Sequence, residues 1–102
     1  MKVLAVNYRC PAGEADLIAL DTATRGSLGA ETIAFIEVKT RARDQYTDPA
    51  AAVDRDKQRR INKVADYYLA RHDADDLNVR FDVVSIVLGA GKPRIDYLED
   101  AF

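Results

Sequence analysis

Residues 32–40 read Thr-Ile-Ala-Phe-Ile-Glu-Val-Lys-Thr, and this stretch decides the fold of the chain. Side chains alternate between the two faces of a strand. Both faces of this stretch are apolar up to Glu37, which is the pattern of a strand covered on both sides. Glu37 and Lys39 lie two positions apart, so they share one face. The stretch therefore predicts a buried strand that ends in a polar pair.

Two strands are predicted before this stretch and two after it. Residues 3–8 form the first, a turn over residues 10–13 closes it, and residues 14–20 form the second. Glycine, serine and threonine in residues 21–31 predict a long turn into the third strand. Residues 79–88 and 94–98 predict a fourth and a fifth strand, separated by a glycine-rich turn.

Between the third and fourth strands the apolar residues follow a helical period up to about His72. Asp48 precedes a proline suited to the first helical position, and Asp54 is a second capping residue. One helix, or a short helix followed by a longer one, is therefore open. The order β-β-β-α-β-β predicts an α/β fold: a mixed sheet of about five strands with one main helix, in a single domain over residues 1–102. One helix covers one face of the sheet. The other face is solvated, covered by another chain as in a homodimer, or covered by a helix upstream of residue 1.

The composition is that of a globular protein, with 48% hydrophobic and 31% charged residues in a chain of 102. No apolar run reaches the length of a membrane span, so no membrane partner is expected. The single cysteine, Cys10, cannot form an internal disulfide, which fits a reducing cytoplasm.

The net charge of −2 conceals an asymmetry along the chain. Residues 39–63 contain eight basic and four acidic side chains, a local charge of +4 that leaves −6 elsewhere. A basic segment of this kind indicates contact with nucleic acid, whereas an ordinary solvated helix is the alternative.

A candidate cation site lies at the polar ends of the second and third strands. Asp16 and Glu37 are placed on adjacent strands, and Glu14 shares a face with Asp16. Hard divalent cations such as Mg²⁺ are often held by one or two carboxylates, and the Val38 carbonyl is a further oxygen ligand. Lys39 could orient a water molecule or stabilise charge on a phosphate. A cross-strand salt bridge remains the alternative interpretation.

Polar residues of the helix and of the preceding loop extend this site. At 100° per residue, Lys57 and Gln58 flank the apolar stripe and lie near the sheet end if the helix packs over it. Arg41 and Arg43 follow the Glu37 strand. Together with Lys57, Gln58 and Arg59 they are the candidates to contact nucleic acid.

Six separated motifs complete the sequence evidence: Asn-Tyr-Arg-Cys at 7–10, residues 13–19, Phe-Ile-Glu-Val-Lys-Thr-Arg at 35–41, residues 52–54, Arg-Phe-Asp-Val-Val at 80–84 and Asp-Ala-Phe at 100–102. In this order they resemble the YraN-like family of uncharacterised bacterial proteins. That family is similar to the PD-(D/E)xK nuclease superfamily, with a restriction-endonuclease-like fold like that of the archaeal Holliday-junction resolvases.

The resemblance implies roles for individual residues. Asp16 takes the place of the first metal-binding acid of the superfamily, and Glu37 and Lys39 match its (D/E)xK element. Lys57 or Gln58 matches an auxiliary polar position, and Glu14 is a secondary metal-binding candidate. The implied cofactor is Mg²⁺ or Mn²⁺. Family members normally begin with an amphipathic helix that carries a further metal-binding glutamate, so such a helix is expected upstream of this chain.

Three functions follow as hypotheses. The first is a metal-dependent endonuclease that hydrolyses DNA phosphodiesters, branched DNA included, with RNA as an alternative substrate. The second is a nucleic-acid-binding module of nuclease ancestry that does not cleave. The third is an interaction protein that pairs with another chain through an uncovered sheet face.

Overall fold

Five strands and one helix follow one another in the order βββαββ. The structure is a computed structural model, and it describes residues 1–25, 31–42, 54–72 and 77–102. The elements are β1 (Lys2–Cys10), β2 (Gly13–Arg25), β3 (Glu31–Ala42), α1 (Arg55–Arg71), β4 (Asn78–Leu88) and β5 (Arg94–Leu98).

The strands form one mixed sheet in the order β1-β2-β3-β4-β5. β1, β2 and β3 pair antiparallel as a meander, and β4 and β5 also pair antiparallel. β3 and β4 run parallel, and α1 lies in the connection between them. The predicted α/β class, with a mixed five-stranded sheet and one helix, is confirmed.

β2 is longer than the sequence pattern predicts. The sequence predicted a turn over residues 21–25. In the structure these residues continue the strand as far as Arg25, and Arg25 pairs with Glu31 at the start of β3. The β-branched Thr22 favours an extended backbone. Asp21 is buried and lies 3.0 Å from the Arg80 guanidinium of β4, which fixes this part of β2 to the sheet. The prediction of a turn was therefore wrong for residues 21–25.

α1 begins at the second of the two predicted starts. Asp54 has the extended backbone of a capping residue (φ −77°, ψ 176°), and its carboxylate accepts a 2.9 Å hydrogen bond from the Lys57 amide. Asp48 lies outside the described residues. In the part of the chain that the structure describes, no helix is long and apolar enough to cross a bilayer.

The core lies between α1 and one face of the sheet. Val64, Ala65 and Tyr68 of α1 are buried in one cluster with Ile33 and Phe35 of β3. On the opposite face a second cluster contains buried Ala19, Ala34 and Ile36. β3 is therefore buried on both faces, as its apolar pattern predicts.

The margins of that opposite face are exposed. Val3 and Val6 of β1 stand across from Ala19 and Leu17 of β2, so they share the face that α1 does not cover. Val3, Val6 and Ile95 are 56%, 62% and 66% exposed.

Candidate metal and nucleic-acid site

A fork between β2 and β3 creates the candidate site. The recorded β2–β3 pairing ends at Leu17 and Ile36, whereas β2 remains paired with β1 down to Gly13. Beyond the last pair, the Val38 amide donates a 2.8 Å hydrogen bond to Asp16 Oδ2. A side chain thus satisfies a backbone donor of β3 where the two strands part, and this holds Asp16 beside Glu37.

Glu37 lies between two lysines. Its Oε1 atom is 3.1 Å from Lys39 Nζ and 3.3 Å from Lys57 Nζ. Lys39 shares a strand face with Glu37, whereas Lys57 reaches it from the first turn of α1, which Asp54 caps. The Glu37 and Lys39 side chains are each 23% exposed, so water screens this contact less than it screens a fully exposed ion pair.

Burial and neighbouring charges shift the pKa values of two groups in this cluster. Burial raises the pKa of Asp16, and the neighbouring Glu37 carboxylate raises it further, against the opposing effects of the Val38 amide and Lys39. The pKa of Lys39 is also raised, because the Glu37 and Asp16 carboxylates stabilise its charged form, although burial opposes this shift. The acid and the amine therefore both retain a proton more firmly than usual, Asp16 mainly because it is partly buried and Lys39 because carboxylates surround it.

A pocket of about 370 Å³ opens at the fork. Both site carboxylates and Lys57 line it, so it connects the sheet end with the first turns of α1. Among the described residues, its lining is Gly13, Glu14, Asp16, Glu37, Lys57, Arg60, Ile61 and Phe102.

Glu14 lines the same pocket but has a different partner. Its Oε1 atom is 3.5 Å from Arg9 Nε, and both side chains are well exposed. Among the residues described, no group of three His, Cys, Asp or Glu side chains is arranged to hold a metal ion. The structure therefore offers two carboxylates, Asp16 and Glu37, as the close pair.

The predicted nucleic-acid contacts are dispersed. Arg41 is half-buried on β3, and Gln58 is half-buried on α1. Arg59 is exposed, pairs with Asp56 at 3.5 Å and does not line the pocket. Arg43 lies outside the described residues.

Sequence reasoning missed two pocket residues, Arg60 and Phe102. Arg60 follows Lys57 by three positions, the spacing that places two side chains on one helix surface, so that spacing could have identified it. Phe102 belongs to a motif used above only for the family resemblance. Its position depends on contacts with β4 that local sequence does not encode.

Those contacts centre on Asp82, which is fully buried on β4. Its carboxylate accepts hydrogen bonds from Arg80 Nε and Nη2, each at 2.9 Å, and from the Tyr97 hydroxyl. The Asp100 amide donates a further bond of 2.9 Å. Burial, followed by the Asp82 carboxylate, raises the pKa of Tyr97. The Asp82 network therefore fixes the segment that follows β5.

Fold and site together define a class of protein: a small α/β domain whose mixed sheet forks around an Asp and a Glu-x-Lys element, with a second lysine supplied by the crossover helix. The family comparison narrows this class. The model of "Uncharacterised protein family UPF0102" matches residues 1–86, and the chain belongs to this family. The resemblance to the YraN-like family is thereby confirmed.

Curated relatives from several bacteria match this chain over nearly all of its length. A UPF0102 protein of Syntrophus aciditrophicus is 44% identical over 101 residues, covering 99% of this chain and 73% of the relative. A UPF0102 protein of Nocardia farcinica is 43% identical over 103 residues, covering 100% of this chain and 75% of the relative. A UPF0102 protein of Dictyoglomus thermophilum is 41% identical over 102 residues, covering 98% of this chain and 80% of the relative.

Proposed function

We propose that this protein is a metal-dependent endonuclease that hydrolyses phosphodiesters of DNA, including branched DNA. The observation that carries the proposal is the convergence of Asp16 and Glu37 at the β2–β3 fork, with Lys39 on Glu37. The element order and the Glu-x-Lys spacing agree with the PD-(D/E)xK resemblance, which supports the same reaction.

The residues at the fork fit Mg²⁺ or Mn²⁺. Asp16 and Glu37 supply carboxylate oxygens, the Val38 carbonyl is a third hard ligand, and Mg²⁺ commonly keeps water and substrate phosphate in its remaining positions. Burial and the Glu37 carboxylate raise the pKa of Asp16, and a bound cation would oppose that shift by stabilising the charged carboxylate. When bound, such an ion polarises a phosphate oxygen and activates water.

The protein's own side chains orient and stabilise the reacting groups in this proposal. Lys39 positions the attacking water, since its ammonium group is held at 3.1 Å from Glu37 Oε1. Lys57 lines the pocket and offers a second ammonium group to the charge that develops on the phosphate. In this proposal the phosphate backbone of the DNA on either side of the site is contacted by Arg41, Arg43 and Arg59. Such contacts give affinity without sequence preference.

A binding module that does not cleave is the second candidate. Two ammonium groups already share Glu37 Oε1, and the described residues contain no group of three potential metal ligands. These observations favour phosphate binding by Lys39 and Lys57 without metal. Such a protein would bind nucleic acid in a chelator and lose affinity as salt increases.

Cleavage assays separate the two candidates. The purified protein is incubated with linear, single-stranded and four-way-junction DNA and with an RNA strand, with Mg²⁺, with Mn²⁺ or with chelator. Metal-dependent cutting that disappears in Glu37→Gln and Lys39→Ala supports the endonuclease. Arg94→Ala serves as the control, because Arg94 pairs with Asp96 on β5. Salt-sensitive binding without cutting by any metal would replace the endonuclease with the binding module.

A further inference from the structure

The pocket at the fork contains an aromatic ring and a guanidinium group that phosphodiester hydrolysis itself does not require. Phe102 and Arg60 line it together with the two site carboxylates. The pocket's volume of about 370 Å³ lies in the range of small-ligand sites. A space of this size suits one nucleotide, and enzymes that hold a single base draw it out of the stack into such a pocket.

The Phe102 ring is held in a fixed position. It stacks on Phe81 with ring centroids 5.3 Å apart and planes inclined by 22°. The Ala101 amide donates a 2.7 Å hydrogen bond to the Phe81 carbonyl, and the Asp100 amide donates to Asp82. A half-buried ring fixed by backbone bonds on its own segment is a preorganised stacking surface, because little conformational freedom is left to lose on binding.

Arg60 supplies charge on the helix side of the same pocket. It is exposed, and it makes no ion pair with any other residue in the described ranges. Guanidinium groups bind phosphate and also stack on bases. Neighbouring Arg59 has the same charge and is paired with Asp56 outside the pocket, so the two arginines form a matched pair for comparison.

We propose that Phe102 and Arg60 form a subsite for one unpaired nucleobase and its phosphate, next to the Asp16 and Glu37 carboxylates. This inference rests on the proposed function, because it assigns that site a substrate class: nucleic acid with a single-stranded or displaced nucleotide. Aromatic stacking accepts any base, so the subsite selects for an unpaired strand and not for sequence.

Binding in chelator tests the subsite independently of cleavage. The affinity of a fluorescein-labelled oligothymidine is measured by anisotropy for wild type, Phe102→Leu, Phe102→Ala, Arg60→Ala and Arg59→Ala. Leucine keeps the apolar packing on Phe81 but removes the aromatic face, so it separates stacking from folding. We expect Phe102→Leu to weaken binding by about fivefold to about a hundredfold, the range that one base stacking on an aromatic ring gives. Arg60→Ala should weaken binding more than Arg59→Ala.

A direct optical readout complements the affinities. The chain contains no tryptophan, so Phe102→Trp introduces a single reporter at the subsite. Oligothymidine should quench its emission, whereas a blunt duplex of equal length should leave it nearly unchanged. Circular dichroism establishes that each variant is folded.

The outcomes distinguish this inference from the proposed function. Wild-type affinity in Phe102→Leu, together with intact metal-dependent cleavage, overturns the subsite and leaves the endonuclease standing. Phe102-dependent binding without cleavage supports the subsite and overturns the endonuclease. Absence of binding to every nucleic acid overturns both.

Discussion

Replacing Asp82 with alanine tests the buried network that fixes the end of the sheet. Asp82 is fully buried, and the variant leaves the Arg80 guanidinium, which is 11% exposed, without its main partner. Breaking a buried ion pair by removing one side costs about 3–5 kcal/mol. Asp21 remains 3.0 Å from Arg80 Nη1, so we expect the lower end of this range, about 3 kcal/mol. This is a large share of the roughly 5–15 kcal/mol by which such domains are stable.

The chain contains its own control for this substitution. Arg94 and Asp96 repeat the Arg-x-Asp spacing on β5 with a contact of 3.0 Å, against 2.9 Å for Arg80 and Asp82, but their side chains are 70% and 37% exposed. Solvent screening reduces exposed pairs to about 0–1 kcal/mol, so Asp96→Ala should change stability little. The two variants remove the same chemical group from similar pairs that differ in burial.

Urea unfolding followed by far-ultraviolet circular dichroism measures both effects. With a urea dependence of about 1–3 kcal/mol per molar, the midpoint of Asp82→Ala should fall by about 1–3 M. Asp82→Asn provides a milder variant if the alanine protein does not fold. If Asp82→Ala and Asp96→Ala unfold within about 1 kcal/mol of each other, burial does not strengthen this pair and the reasoning fails.

Three further predictions concern the fork and the helix that packs over it. The pKa of Asp16 is raised above its ordinary 3.8. Its contribution to the free energy of unfolding is therefore complete below pH 3.8 and is lost as the pH rises through the raised pKa. The side chain of Asp16→Asn cannot ionise, so the variant does not share this loss. The urea midpoint of the variant minus that of wild type should rise between about pH 3 and about pH 7, and a difference that stays constant with pH would contradict the raised pKa. Asp54→Ala removes the cap of α1 and should cost about 1 kcal/mol in urea unfolding, whereas no change would mean that the cap contributes nothing. Gly13→Ala should lower the thermal midpoint, because Gly13 has φ 142°, a backbone conformation that residues with a Cβ rarely adopt; an unchanged midpoint would show that the backbone relaxes there.

Local patterns predicted most of the fold because each main element has a strong one. The apolar residues 33–36 require burial on both faces, and the structure buries them. The apolar stripe of α1 that contains Ile61, Val64 and Tyr68 faces the core of the domain, as its helical period predicts. Residues 21–25 were misassigned because threonine and aspartate occur in turns and in strands alike. The contact that decides between these, Asp21 with Arg80, joins residues 59 positions apart.

The site was predictable only where adjacent strands determine it. Asp16 and Glu37 lie at the end of one antiparallel pair, so strand order alone places them near each other. The 3.3 Å contact of Lys57 with Glu37 depends on how α1 docks, and the sequence indicated only that this residue flanks the apolar stripe. Phe102 reaches the pocket through the Asp100–Asp82 hydrogen bond, whose register no local pattern determines.

The fork between β2 and β3 also contains a spectroscopic probe. The Val38 amide is bonded to a carboxylate oxygen and not to a strand carbonyl, so its proton chemical shift and its exchange with solvent depend on the charge of Asp16. An ion that binds Asp16 Oδ2, or a proton that neutralises the Asp16 carboxylate, changes the resonance of the Val38 amide. A single nitrogen–proton correlation spectrum can thus report occupancy of the site without an assay of any reaction.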